Sequence, residues 1–339
     1  EMTNSDWSSD VCSSDLLQLH HFLPKDSLYM LTLHAGARGQ GTDFTSPRTH
    51  ADVTVSLDGI QYGRWHLSGV DLKASLKSAL ATAQLTSNNA LLKMTTEASM
   101  RLGRRYMDGQ LQMDVADIGL YQLGILSAPL TQPLAFNLEA EVRRDTVRME
   151  MKAGDMNMWL RAQGTVNHLI EQSNQFVALL MKQIDDRKLD HAALRRALPS
   201  AGMFVKAGKD NPVNDLLEQH HMGFNELKLG FGFTPDWGIN GRASIDGFHT
   251  DSLQLDTIFF AVHQDTTRIR LQSGVINTPQ NPQIAFRSLL TGEVRSEDAE
   301  LTLDFEDEKG EKGILFGINA RPLTEGNGKG NGVLLNLTP

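Results

Sequence analysis

The sequence predicts a mainly β protein: an elongated, repetitive antiparallel sheet interrupted by a small helical insert. Three observations predict it. Apolar and polar residues alternate with period two along most of the chain, as in strands with one apolar and one wet face. Turn signals such as "LDGI", "RRDT", "PDWG", "SIDG", "HQDT", "NTPQNP" and "DEKGEKG" recur at intervals of roughly 8–14 residues, which suits meandering hairpins. One stretch, about 166–222, carries helical periodicity instead.

The elements follow in order. "ADVTVSL" sets Ala51, Val53, Val55 and Leu57 against Asp52, Thr54 and Ser56. "QLQMDV" alternates Leu111, Met113 and Val115 with polar neighbours, and "LAFNLEAEV" alternates Leu134, Phe136, Leu138, Ala140 and Val142. In the insert, "TVNHLIEQSNQFVALLMKQIDD" places Val166, Ile170, Val177, Leu180, Met181 and Ile184 on one helical stripe, expected to bury itself against the sheet as a plug or cap. A second helix is expected over "DHAALRRAL", capped by Asp190 and stopped near Pro199, and a third at "NPVNDLLEQ", with Asn211 as N-cap and Pro212 at the first helical position. Strands then resume. "LKLGFGF" alternates Leu227, Leu229, Phe231 and Phe233, "LTLDF" alternates Leu301, Leu303 and Phe305, and "ILFGI" gives Ile314, Phe316 and Ile318. The phrase "RDTVRMEMKAG" (144–154) aligns with "QDTTRIRLQSG" (264–274), matching Met149 and Met151 to Ile269 and Leu271 and pointing to a repetitive body.

The front of the chain reads differently. "SDWSSDVCSSDLL" is rich in Ser and Asp, carries the only cysteine, Cys12, and lacks the basic and apolar regions of a secretory signal. Its "DWSSDVCSSDL" back-translates to a string that resembles a common short-read sequencing adapter. Residues 1–16 are therefore set aside as an artefact expected to be disordered. The division expected is 17–165 β, 166–222 helical insert and 223–339 β, with both ends belonging to a longer parent. Residues 1–16 hold four acidic and no basic residues, so the net charge of −9 becomes −5 beyond them, 32 basic against 37 acidic. That balance, without any Lys/Arg block, argues against a nucleic-acid partner. One cysteine makes no thiolate metal site.

An open sheet of about 20 strands exceeds the ~10 at which sheets curl or split, and its apolar face must be covered. A second sheet, a solenoid coil or a lengthwise trough closed on a lipid chain would each do so. Here a resemblance enters. "GTDFTSPRTHADVTVSLDGIQYGRWHLSGVDLKASLKSALATAQLTSNNALLKM", "ALPSAGMFVKAGKDNPVNDLL" and "GFNELKLGFGFTPDWGINGRASIDGFHTDSLQLDTI" resemble an internal segment of TamB-type (translocation and assembly module) proteins, of the Bacteroidetes-like branch of the AsmA-like superfamily. The resemblance covers nearly all of residues 25–339 and rests on diffuse repeat grammar. It implies a β-taco groove crossing the periplasm, an inner-membrane anchor at a missing N-terminal helix, an outer-membrane barrel partner met through a missing C-terminal domain, phospholipid acyl chains as cargo, and no catalytic residues.

The apolar alternating faces are the one site candidate: Val53, Val55, Leu57, Leu111, Met113, Val115, Leu134, Phe136, Leu138, Met149, Met151, Leu227, Leu229, Phe231, Phe233, Ile269, Leu271, Leu301, Leu303, Phe305, Ile314, Phe316 and Ile318. By pattern alone they suit a dry sandwich or solenoid core better; the resemblance favours a lipid-facing groove. The 13 methionines suit irregular acyl chains, and 6% aromatic residues is sparse for stacking sugars. Adjacent His20-His21 and His220-His221 diverge in any regular element and are poor joint ligands. "GNGKGNG" (326–332) lacks the Ser/Thr and flanks of a phosphate loop, and "GARGQG" (36–41) fails the dinucleotide pattern. Paired carboxylates and nucleophile–base signatures are missing from the sequence, so no cofactor and no enzyme is expected. The expected function is lipid conduction supporting outer-membrane biogenesis, by phospholipid transport or outer-membrane protein assembly. The alternative is a structural or adhesive β-repeat protein with a closed core.

Overall fold

The computed structural model describes residues 6–12, 28–62, 65–103, 107–322 and 333–338. The chain is mainly β and antiparallel, with three helices among the described residues, and it divides into two compact units, Glu1–Gly154 and Asp155–Pro339.

The first unit is a meander of β1 (Asp6–Cys12), β2 (Leu28–Gln40), β3 (His50–Tyr62), β4 (Trp65–Leu67), β5 (Val70–Lys77), β6 (Leu80–Asn88), β7 (Leu92–Leu102), β8 (Met107–Ile118), β9 (Phe136–Arg143) and β10 (Thr146–Ala153). Each pairs with its sequence neighbour, except that β3 pairs with both the short β4 and β5. The Ser/Asp-rich front, expected to be disordered, forms β1 and pairs from Asp6 opposite Gln40 to Cys12 opposite His34. Ladder bonds use backbone groups, so an edge accepts such a strand without any apolar period.

The β5–β6 hairpin turns on two residues, Ser78 and Ala79, with φ of 52° and 60°. Such turns favour Asn-Gly because both centres are left-handed. Ser78→Asn with Ala79→Gly is expected to raise stability by about 1 kcal/mol, read as a higher urea midpoint at unchanged slope.

The second unit comprises β11 (Met156–Gln163), α1 (Val166–Asp185), α2 (His191–Ala197), β12 (Ser200–Ala207), α3 (Pro212–Glu218), β13 (Met222–Gly223), β14 (Glu226–Thr234), β15 (Gly238–Thr250), β16 (Gln254–Gln264), β17 (Ile269–Asn277), β18 (Phe286–Val294), β19 (Ala299–Glu306), β20 (Lys312–Pro322) and β21 (Val333–Thr338). The order is β11–β12–β14 and onward to β21, with β13 beside β15. The insert thus contains a strand that sequence periodicity missed. "SAGMFVKA" joins the sheet as β12, so the helices α1 and α2 are an excursion between two paired strands.

The N-caps of α2 and α3 are those the sequence predicts. Asp190 accepts from Ala193 N at 2.9 Å, and Asn211 accepts from the backbone N–H of Val213 and Asn214, both at 3.1 Å. Thr165 caps α1 by accepting from His168 N at 3.2 Å.

The orientation of α1 differs from expectation. Val166, Ile170, Val177, Met181 and Ile184 are exposed, Ile170 at 56% and Met181 at 55%, and Leu180 is half-buried. The inward face instead carries Leu169, Gln172, Phe176, Leu179 and Gln183. Two glutamines hold that face by hydrogen bonds: Gln172 Nε2 donates to Leu198 O at 3.0 Å, and Gln183 Oε1 accepts from Asp190 N at 2.7 Å. A satisfied buried amide is tolerated where apolar periodicity alone would forbid it.

The aligned phrases both form a hairpin turn followed by a strand, but with different turns. Arg143 pairs with Thr146 across two residues, whereas Gln264 pairs with Ile269 across four. Gly154 is a left-handed turn residue with φ of 59°, while Gly274 lies buried within β17.

Carboxylates pin several turns. Asp265 is held well below the usual carboxylate range, first by the Thr267 hydroxyl and then by the Thr267 and Arg268 N–H groups. Asp256 is lowered chiefly by the Thr278 hydroxyl and N–H. For Asp155, burial acts to raise the value, and hydrogen bonds from Asp210, Asn211, Gly208 and Lys209 outweigh it. Groups depressed on folding contribute stability above their unfolded pKa and lose it as pH falls through the folded one. Denaturation midpoints are therefore expected to fall below about pH 4, less steeply in Asp265→Asn. An unchanged slope in that variant would refute the role of Asp265.

Candidate functional site

Antiparallel register decides whether scattered alternation becomes one surface. In the first unit it does so row by row. Val53 lies opposite Ala74, then Ala83, Ala98, Leu111, Ala140 and Met149 across successive strands. Two residues along, Val55, Leu72, Leu85, Thr96, Met113, Leu138 and Met151 form the next row, and Leu57, Val70, Ser87, Met94, Val115 and Phe136 the third. Leu134 precedes β9 and is half-buried.

The second unit repeats the arrangement. Leu229, Ala243, Phe260, Ser273, Leu290, Leu303 and Phe316 share one row, and Phe231, Gly241, Val262, Leu271, Gly292, Leu301 and Ile318 the next. Leu227 heads the row of Ile245, Ile258, Val275, Ser288 and Phe305, paired to Ile314 of β20, whose side chain lies outside the described residues. Phe233 lies opposite Ile239, and Ile269 lies opposite Gln264.

Every sequence-predicted residue of each unit with a described strand position therefore falls on one face of that unit. The face is aromatic around β14: Phe231 stacks with Phe233 and with Phe260, ring centroids 6.5 Å apart in both cases. Gly241 makes room for this, since a Cβ there would stand 2.1 Å from the Phe231 ring. Phe286 and Phe305 stack at 5.8 Å.

Burial is the informative property. Among the predicted residues only Val115, at 5% exposure, is buried, and Leu301, at 37%, is exposed. The others with described side chains are half-buried. Enclosed side chains gather around the helices, at Leu194, Leu198, Ala207, Asn214 and Phe224, and within the rows the small or polar Ser87, at 4%, and Gln264, at 1%, are also buried.

Sequence reading missed Leu72, Leu85, Phe260, Val262 and Ile258. The first two sit among Ala74, Ala83 and Thr82, which blunt the alternation, and the others lie in "TIFFAV", where Phe259 and Phe260 are adjacent and point to opposite faces. His20-His21 and "GNGKGNG" lie outside the described residues. His221, at the end of α3, faces Asp251 at 3.4 Å on the surface. Gly36–Gln40 of "GARGQG" is part of β2. Among the described residues there is no group of three or more His, Cys, Asp or Glu able to hold a metal, and no helix is long and apolar enough to cross a membrane.

Wet-face depressions accompany the rows. One of about 930 Å³ is lined by residues 52–54 and their partners across the strands as far as 148–150. Rows 51 and 55, which flank row 53 on the apolar face, do not line it, so it lies between the polar rows on the opposite face. The first unit thus has a largely half-buried apolar face and a furrowed polar one. Comparison of the chain with protein-family models, curated proteins and solved structures finds no match.

Proposed function

We propose that the chain is a segment of a lipid-conducting groove protein of the cell envelope that supports outer-membrane biogenesis, binding phospholipid acyl chains along the apolar rows of its units. The resemblance to TamB-type proteins supplies the class, and phospholipid transport and outer-membrane protein assembly are the two outputs it implies. One observation carries the reading: large apolar side chains stand in continuous register on one face yet remain half-exposed. A dry sandwich core would bury them. An acyl chain laid there loses water contact at about 0.8 kcal/mol per methylene, so a few methylenes suffice for reversible binding.

The test is photocrosslinking from the two faces. A photoreactive residue at Leu229 or Leu138 is expected to yield phospholipid adducts in the envelope, and one at Lys228 or Glu139 to yield none. Equal adducts from both faces, or none from Leu229 and Leu138, would return the chain to the structural β-repeat alternative.

A further inference from the structure

The polar face of the second unit carries a feature that lipid conduction does not use. A depression of about 910 Å³ is lined by Gly230, Asn240, Arg242, His263, Gln272 and Thr291, among others. Its lining combines the polar rows of Asn240 and Arg242 with Gly241, Val262 and Leu271 of the row between them, and omits the flanking apolar row of Leu229, Phe260 and Leu290, so it opens on the wet side. At its Gly230 end stands an aromatic pair, Trp159 stacked on Phe204 with ring centroids 5.8 Å apart, Trp159 being 47% exposed. Register places Trp159, Phe204, Gly230 and Arg242 in one row, and Arg161, Gly202, Gly232 and Asn240 in the next.

We propose that this surface binds an acidic sugar, a pyranose bearing a carboxylate or phosphate. Three properties point to that chemistry. An exposed Trp offers its face to the C–H face of a sugar ring. Arg161 and Arg242 flank the floor and have neither an ion pair nor a side-chain hydrogen bond among the described residues, and a guanidinium fork fits a carboxylate or phosphate. Lys206 and Lys228, one row further on, share the carboxylate of Glu226, and Asp246 opposite Glu226 also acts on Lys228; two arginines and two lysines against two carboxylates leave this end locally positive. Of the two carboxylates that line the far end, Glu293 is engaged by Arg268 at 2.9 Å and Arg295 at 2.6 Å, and Glu300 stands 3.8 Å from Arg295. Gln272 and Thr291 add side chains for hydroxyl groups.

The surface between the depression and the aromatic pair is open. Gly230 lines the depression, and Gly202 and Gly232 lie beside it in the Arg161–Asn240 row. All three lack the left-handed φ that demands glycine, and a Cβ on Gly202, Gly230 and Gly232 would meet nothing nearer than 3.5, 3.5 and 4.0 Å. Glycine inside a strand weakens it and marks a place where another group approaches closely. A nucleic-acid strand would also use aromatics and arginines, but the whole chain's net charge of −9 opposes a long polyanion.

The test is calorimetric titration of the purified chain with tetragalacturonic acid and glucosamine 6-phosphate, with neutral maltotetraose as comparator. Saturable binding of an anionic probe is expected, at least about tenfold tighter than maltotetraose, and weakened about tenfold by Trp159→Ala and by Arg242→Gln. Gly232→Val is expected to abolish binding at unchanged melting temperature. Co-sedimentation with vesicles displaying a phosphorylated glucosamine glycolipid, lost in Trp159→Ala, would place the sugar on a membrane headgroup; binding of the soluble probes alone would make it free. No saturable binding of either anionic probe, equal binding of maltotetraose, tighter binding of an oligonucleotide, or full binding by both Trp159→Ala and a folded Gly232→Val overturns the proposal.

Discussion

Leu194→Ala is expected to lower the stability of the second unit by about 2–5 kcal/mol, the range for a buried Leu truncated to Ala. Leu194 is 2% exposed and sits in α2 beside α1, in the part of the molecule where side chains are fully enclosed. The surroundings are stiffened by the Gln172–Leu198 and Gln183–Asp190 hydrogen bonds, which limit how far the cavity can collapse. The contrast is with Ile170→Ala and Met181→Ala on the exposed side of α1. These are expected to change stability by no more than about 0.5 kcal/mol. Urea unfolding followed by circular dichroism decides the matter. A cost at Ile170 equal to that at Leu194 would mean that α1 turns its Ile170 face, not its Gln172 face, inward.

The second large effect is functional. Phe231→Asp is expected to leave the protein folded while abolishing lipid crosslinking at Leu229. Phe231 stands between the Phe233 and Phe260 rings on the apolar face and over the gap left by Gly241. Because that face is half-exposed, a carboxylate there keeps part of its hydration, and the fold loses mainly the ring contacts. An acyl chain crossing the same spot meets a charge instead of a ring. In a sealed core the same carboxylate would be buried and unpaired, and the unit would unfold. Folding and crosslinking measured together on one variant separate the cases: loss of fold supports a closed core, and retained crosslinking removes the lipid from this face.

The sheet was largely legible because register turns period two into a surface, and "LKLGFGF" and "LAFNLEAEV" state that period without interruption. The limits have physical causes. Alanines at positions 74, 83, 98 and 140 occupy the apolar face with side chains too small to mark it, which hid Leu72 and Leu85. A strand with Phe259 and Phe260 on opposite faces has no alternation to read. In α1, half-buried Gln172 and buried Gln183 made the inward face look wet, so the outer stripe appeared to be the core side. The Trp159–Phe204 pair was invisible for another reason. Its members are 45 positions apart with two helices between them, and only the β11–β12 pairing brings them face to face.

The meander has a kinetic consequence. In each unit almost every strand finds its partner in the segment made just before or just after it, so pairing closes short loops and proceeds like a zip along the chain. Edge strands then open first and interior strands last, giving graded amide exchange from the borders of each unit inward. One step breaks the rhythm. β12 can meet β11 only after residues 164–199 have been looped out as helices, and this closure is the longest wait in the assembly of the second unit.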